Sequence, residues 1–144
     1  VVSFIEFAED FSLNAADLET EMSYYSDDEV YLINYLSQIT ENGEVQPTPA
    51  RISQVDGRIE VSKADFMRYT IPMRMAILLH EFSHFYLNED MSNEEEADRN
   101  SLILYMGMGY PRIDAYNVYL DVFENSPTEG NKERYDKLHK IFNS

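Results

Sequence analysis

The stretch Met75-Ala76-Ile77-Leu78-Leu79-His80-Glu81-Phe82-Ser83-His84-Phe85 carries three ionisable side chains inside an otherwise apolar run. Burying them unpaired in a helix fit for a protein core would be costly, and a bound cation removes that objection. On a helix, positions i and i+4 lie one turn apart on the same face, with Cβ atoms about 5–6 Å apart. Two imidazoles so placed can share one zinc ion at Zn–N distances of about 2.0–2.1 Å. Glu81 is rotated off that line and reaches a water on the metal more easily than the metal itself. His-Glu-x-x-His thus reads as a ligand pair with a general base beside it.

Outward from this stretch, Thr70-Ile71-Pro72 predicts the start of its helix, with proline tolerated in the first turn, and Asn88 follows its end at about Leu87. Ser92-Asn93-Glu94-Glu95 predicts a capping box and a helix to about Met106 or Gly107, placing Glu94 and Asp98 on one face. Ser62-Lys63-Ala64-Asp65 opens a short helix. Pro111 opens another carrying Ile113, Tyr116, Leu120 and Phe123, and a last helix carries Tyr135, Leu138 and Phe142.

Further upstream, Arg51–Val55 and Arg58–Val61 flank Asp56-Gly57 as the arms of a β-hairpin with a type I′ turn, and an edge strand here could accept an extended peptide. Val45 to Pro49 is an extended connector, since its prolines exclude interior helix. The first 44 residues read as helical. Val1–Phe11 fits strand or helix, a helix is expected over Ser12–Tyr25, and a second is expected from the Ser26–Glu29 capping box to a stop at Asn42-Gly43.

A catalytic zinc site usually takes three protein ligands and leaves one position open. The chain has no cysteine, so the third ligand is expected to be a carboxylate, from Asp90 or from the run Glu94, Glu95, Glu96 and Asp98. Asp90 sits where a glycine-turn pattern would place a last ligand, but Leu87 stands at the glycine position, which disfavours that turn.

His80-Glu81-Phe82-Ser83-His84 with Glu94-x-x-Ala97-Asp98 resembles the gluzincin zinc metallopeptidases, in particular the prenyl-protein (CAAX) protease family and its small soluble relatives, the minigluzincins. The resemblance covers roughly Thr70 to Leu104. It implies zinc held by His80, His84 and Glu94, with Glu81 as general base and Asp98 behind His80. The implied fold is α+β and mostly helical: one zincin-like domain over 1–144 with an active-site helix and a small hairpin or sheet. It divides into a helical part at 1–44, a connector and hairpin at 45–61 and a zinc-binding helical core at 62–144. The implied activity is that of a metalloendopeptidase acting on a peptide or protein. The alternative is a catalytically inactive, zinc-stabilised structural or interaction domain. That family also has a later His-Pro element followed by an arginine. Here Ser126-Pro127 precedes Arg134 without the histidine, which leaves the transition-state stabiliser among Arg134, Tyr110 and Tyr116, with Tyr119 and His139 behind them.

Composition narrows the partners. The 144 residues suit one domain, and 27 acidic against 11 basic residues give a net charge of −16, which repels phosphate backbones and anionic lipid. Neither nucleic acid nor membrane is expected. The apolar run Met75–Leu79 is too short to span a bilayer, and Val1-Val2-Ser3-Phe4 does not read as a secretory signal, so a soluble chain is expected. Compartment and oligomeric state stay open.

Overall fold

The computed structural model describes residues 1–143. Its centre is the helix α3 (Ile71–Tyr86), preceded by α1 (Val2–Asn14), six strands and a single-turn α2 (Lys63–Phe66). At the start of α3 the Met73 amide donates to the Thr70 hydroxyl at 3.3 Å, and Pro72 occupies the first turn, where its missing N–H costs nothing. Met75, Leu78, Leu79 and Phe82 are buried to 2 % exposure or less, each worth about 1.5–3 kcal/mol in apolar area. His80, Ser83 and His84 are buried on the same helix. Nearly every side of α3 is therefore covered, which explains its long apolar run.

The strands are β1 (Met22–Tyr25), β2 (Leu32–Leu36), β3 (Thr40–Glu41), β4 (Glu44–Val45), β5 (Ala50–Ile52) and β6 (Ile59–Ser62). Four of them form a mixed sheet in the order β1-β2-β6-β5, with β2 and β6 parallel and the other pairs antiparallel. α1 packs across to α3 through Phe4, which stacks on Phe82 at 4.3 Å, and Arg74 of α3 donates to the Ser12 carbonyl at 2.8 Å. After α3 come α4 (Glu94–Gly107), α5 (Arg112–Asn125) and α6 (Glu129–Phe142). The architecture is α+β and mostly helical, as expected.

The first 44 residues correct the sequence reading. Val2–Asn14 is helix, but the helix expected over Ser12–Tyr25 stops at Asn14, residues 15–21 form turns, and the last four residues are β1. The helix expected after Ser26 is instead β2. Ile33 and Tyr35 alternate inward, and the Tyr35 hydroxyl donates to the Ala15 carbonyl at 2.8 Å. Val30, Ile33, Leu36 and Ile39 are spaced for a helix, yet pairing of Tyr24 with Ile33 across the sheet outweighs that spacing. Ser26 caps no helix: its hydroxyl accepts from the Tyr31 amide at 3.0 Å, and Glu29 sits at φ 58°, a value no helix uses. Asn42-Gly43 ends no helix either. With φ of 53° and 81° it forms the turn between β3 and β4.

The β5–β6 hairpin forms, but without a two-residue turn at Asp56-Gly57. Ile52 pairs with Ile59, so the loop spans 53–58 and only Gly57 takes a positive φ, 75°. A Cβ at Gly57 would lie 2.8 Å from the Tyr86 hydroxyl, so the glycine is required there for space as well as for conformation. At α4 the cap shifts by one residue: Asn93, not Ser92, accepts from the Glu96 amide, at 2.9 Å.

Candidate metal centre

His80 and His84 project from successive turns of α3 toward the first turn of α4, which delivers Glu94. Their donor atoms, with a Glu94 carboxylate oxygen, all lie within 4.8 Å of one another. The two Nε2 atoms are 3.2 Å apart, and His80 Nε2 is 3.7 Å from Glu94 Oε1, which also contacts His84 Nε2. A tetrahedral ion with bonds of about 2.0–2.1 Å has ligand-to-ligand edges of about 3.3 Å. The histidine–histidine separation is close to that edge, His80–Glu94 is longer and His84–Glu94 is shorter.

An oxygen on the far side of each ring bears on its tautomer. His84 Nδ1 lies 2.7 Å from the Met91 carbonyl, which can only accept, so Nδ1 carries the proton and Nε2 presents its lone pair. His80 Nδ1 is 3.1 Å from Asp98 Oδ1 without hydrogen-bond geometry and has no hydrogen-bond partner, but the carboxylate beside it favours the ring proton on Nδ1. Its Nε2 therefore also faces the centre as an acceptor in the neutral ring. With both rings neutral, two lone pairs and a carboxylate oxygen converge with no donor between them, an arrangement that a metal ion or added protons can satisfy. His80, His84 and Glu94 can hold a metal ion.

In the metal-free chain protons take that role. Burial pulls the His80 pKa down, but the Asp98 and Glu94 carboxylates outweigh it and hold the group up at about 10. His84 is raised in the same way, by Glu94 against burial. For Glu94 burial works upward, and hydrogen bonds from both histidines override it, leaving the carboxyl far below its usual range. Glu81 is half-buried at the wall of the cleft. Burial pushes it up to about 7 against the opposing charges of His80 and His84.

Asp98, 3 % exposed, is clamped by Arg134 of α6: Nε donates to Oδ2 at 2.8 Å and Nη2 to Oδ1 at 2.9 Å. Burial raises the Asp98 pKa, and the Arg134 and His80 contacts reverse that and leave it lowered. The remaining carboxylates point elsewhere. Asp90 accepts from the Ser92 hydroxyl and amide, Glu95 from Lys137, and Glu96 from the Asp90 amide. Of the acids left open by spacing, geometry brings Glu94 alone to the Nε2 atoms of both histidines, while Asp98 meets His80 on the Nδ1 side.

The candidate stabilisers separate clearly. Arg134 and Tyr119 line the cleft beside His80, Glu81 and Glu94, a space of about 80 Å³. Tyr110 instead packs on Tyr105, while Tyr116 shares a 2.6 Å hydrogen bond with Tyr135 beside His139. None of Tyr110, Tyr116 and His139 reaches the cleft. The Tyr119 hydroxyl is engaged by Ser101 at 3.1 Å. A wider groove of about 440 Å³ between α1 and the β1–β2 turn holds none of the candidate site residues.

The Met91 carbonyl escaped the sequence reading because a backbone group leaves no side-chain signature. A trace of it lies in Asp90-Met91-Ser92, where an Asp two residues before a Ser is the chemistry of a tight side-chain turn. That turn, braced by Asn88 donating to the Asp90 and Asn93 carbonyls, aims the Met91 carbonyl at His84.

β5 runs along the same cleft, with Pro49 and Ala50 in its wall. Ser62 N–H donates to the Pro49 carbonyl and Ser53 N–H to the Arg58 carbonyl, so Pro49, Arg51 and Ser53 face β6 and the backbone of Ala50 and Ile52 faces away from it. The Ala50 carbonyl accepts from the Thr48 hydroxyl at 2.8 Å. No helix among the described residues is long and apolar enough to cross a membrane. Comparison of the chain with family models, with curated proteins and with solved structures finds no match.

Proposed function

We propose that the chain is a zinc-dependent peptide hydrolase, an endopeptidase by reaction class. The observation that carries this is the convergence of His80, His84 and Glu94 beside Glu81, on a cleft bordered by an edge strand. Two imidazoles and one carboxylate form a donor set that suits zinc, and three protein ligands are the usual complement of a catalytic site.

Bound zinc supplies Lewis acidity, acidifying a water and polarising a carbonyl. The chain's own groups do the rest. Glu81 accepts a proton from the attacking water and returns it to the leaving amine nitrogen. Asp98 orients the His80 ring through Nδ1, and the Met91 carbonyl does the same for His84. The outward backbone of Ala50 and Ile52 offers an extended peptide one side of a β-ladder, which would lay a scissile bond along the cleft.

One observation favours a second reading, a zinc-stabilised domain without catalysis. The cleft is small, and the polar groups of Arg134 and Tyr119 that line it are already engaged. Metal content measured together with hydrolysis of a broad peptide library separates the two. Zinc with cleavage supports the hydrolase, zinc without cleavage supports the scaffold, and absence of zinc rejects both.

A further inference from the structure

Arg134 lies on α6, forty residues from Glu94, yet it is 8 % exposed and makes four directed contacts, three of them to Asp98 and Glu94 at the metal centre. Nε and Nη2 grip both oxygens of Asp98 at 2.8 and 2.9 Å. Nη1 donates to Glu94 Oε2 at 2.8 Å and to Asn131 Oδ1 at 3.2 Å. The guanidinium also sits 5.0 Å over the Phe123 ring. A planar group held at both ends and on one face cannot rotate. Four of its five N–H donors are spent, so it is poorly placed to stabilise an oxyanion.

Its effect on Glu94 is specific. The Glu94 side chain is 46 % exposed, and nothing else among the contacts at that carboxylate holds Oε2. Oε1 faces the two histidines while Oε2 is turned back to Arg134. A carboxylate released from such a hold can ligate through both oxygens and fill a coordination position, or swing out to solvent.

We infer that Arg134 is a positioning residue that restricts Glu94 to one ligating oxygen and so keeps one coordination position of the metal open. This rests on metal binding at His80, His84 and Glu94, but not on hydrolysis. It also assigns Arg134 a part different from transition-state stabilisation. Lysine at this position keeps the charge but cannot span Asp98 and Glu94 together.

The test is cobalt(II) substitution of the metal-free chain, followed by its visible spectrum, with zinc affinity by chelator competition. The parent is expected to give the intense spectrum of a four-coordinate ion. Arg134→Lys is expected to weaken that absorption as coordination rises, and to lower zinc affinity roughly 10- to 100-fold. An Arg134→Lys chain that keeps both spectrum and affinity overturns the inference. Should that variant not fold, X-ray absorption on the zinc-loaded parent decides: one carboxylate oxygen in the first shell supports the inference, and two overturn it. Failure of the parent to bind either metal overturns this inference and the metal centre together, whereas binding without peptide cleavage removes only the hydrolase.

Discussion

His80 Nε2 and His84 Nε2 face each other across 3.2 Å; the Met91 carbonyl holds the His84 ring at Nδ1, and Asp98 Oδ1 lies 3.1 Å from His80 Nδ1. Two neutral imidazoles in that pose present lone pair to lone pair, and Glu94 adds a third acceptor. Backbone, carboxylate and arginine contacts hold these acceptors together, and a metal ion or protons on the rings can satisfy them.

The first consequence is a pH-dependent metal affinity. With His80 held up at about 10, the metal-free centre is protonated at neutral pH, and an incoming ion must displace that proton. Affinity is therefore expected to rise with pH, by roughly tenfold per unit for each proton released. Calorimetric titrations in buffers of different ionisation heat should show net proton release near pH 7.

The metal-free fold should respond in the opposite sense. A histidine whose pKa is raised on folding contributes stability that is full below its unfolded value, about 6.5, and is lost as pH climbs through the folded value. The thermal midpoint of the chelator-treated chain is thus expected to fall between about pH 6.5 and 10, and the zinc-loaded midpoint to fall less. Paired calorimetric scans across that range check both.

Asp98→Asn keeps the volume but removes the charge that pairs with Arg134 and draws on His80. Loss of such an outer partner costs roughly 10- to 100-fold in metal affinity. Chelator competition against the parent measures it.

Gly57→Ala tests the packing of the β5–β6 loop on α3. The added methyl would meet Tyr86 and Phe85 at 2.8–2.9 Å from a backbone held at φ 75°. A loss of about 1–3 kcal/mol is expected from the clash and the strained backbone together, read from denaturant midpoints.

How much of this was legible follows from the range of the interactions. α3 and α4 announce themselves through local chemistry: the Thr70 start, Pro72, an acidic first turn behind a cap read at Ser92 and found at Asn93, and histidines one turn apart. His80, His84 and Glu81 come from that pattern, and Glu94 and Asp98 from the family resemblance, with Glu95 and Glu96 as neighbours that only geometry sets aside. The first 44 residues misled because Val30, Ile33, Leu36 and Ile39 satisfy a helical spacing while Ile33 and Tyr35 alternate as a strand. Cross-strand partners decided between the two, and those lie outside any local window. Arg134 was visible only as a faint match after Pro127. Its bond to Asp98 bridges α4 and α6, a relation set by helix packing that local spacing does not encode.

The central claim is that His80, His84 and Glu94 form one metal centre, and zinc stoichiometry after exhaustive dialysis tests it most directly. The account predicts one tightly held zinc per parent chain, retained by Asp90→Ala and lost or greatly weakened in Glu94→Ala. A parent that holds no zinc, or a zinc lost with Asp90 and kept without Glu94, would contradict it.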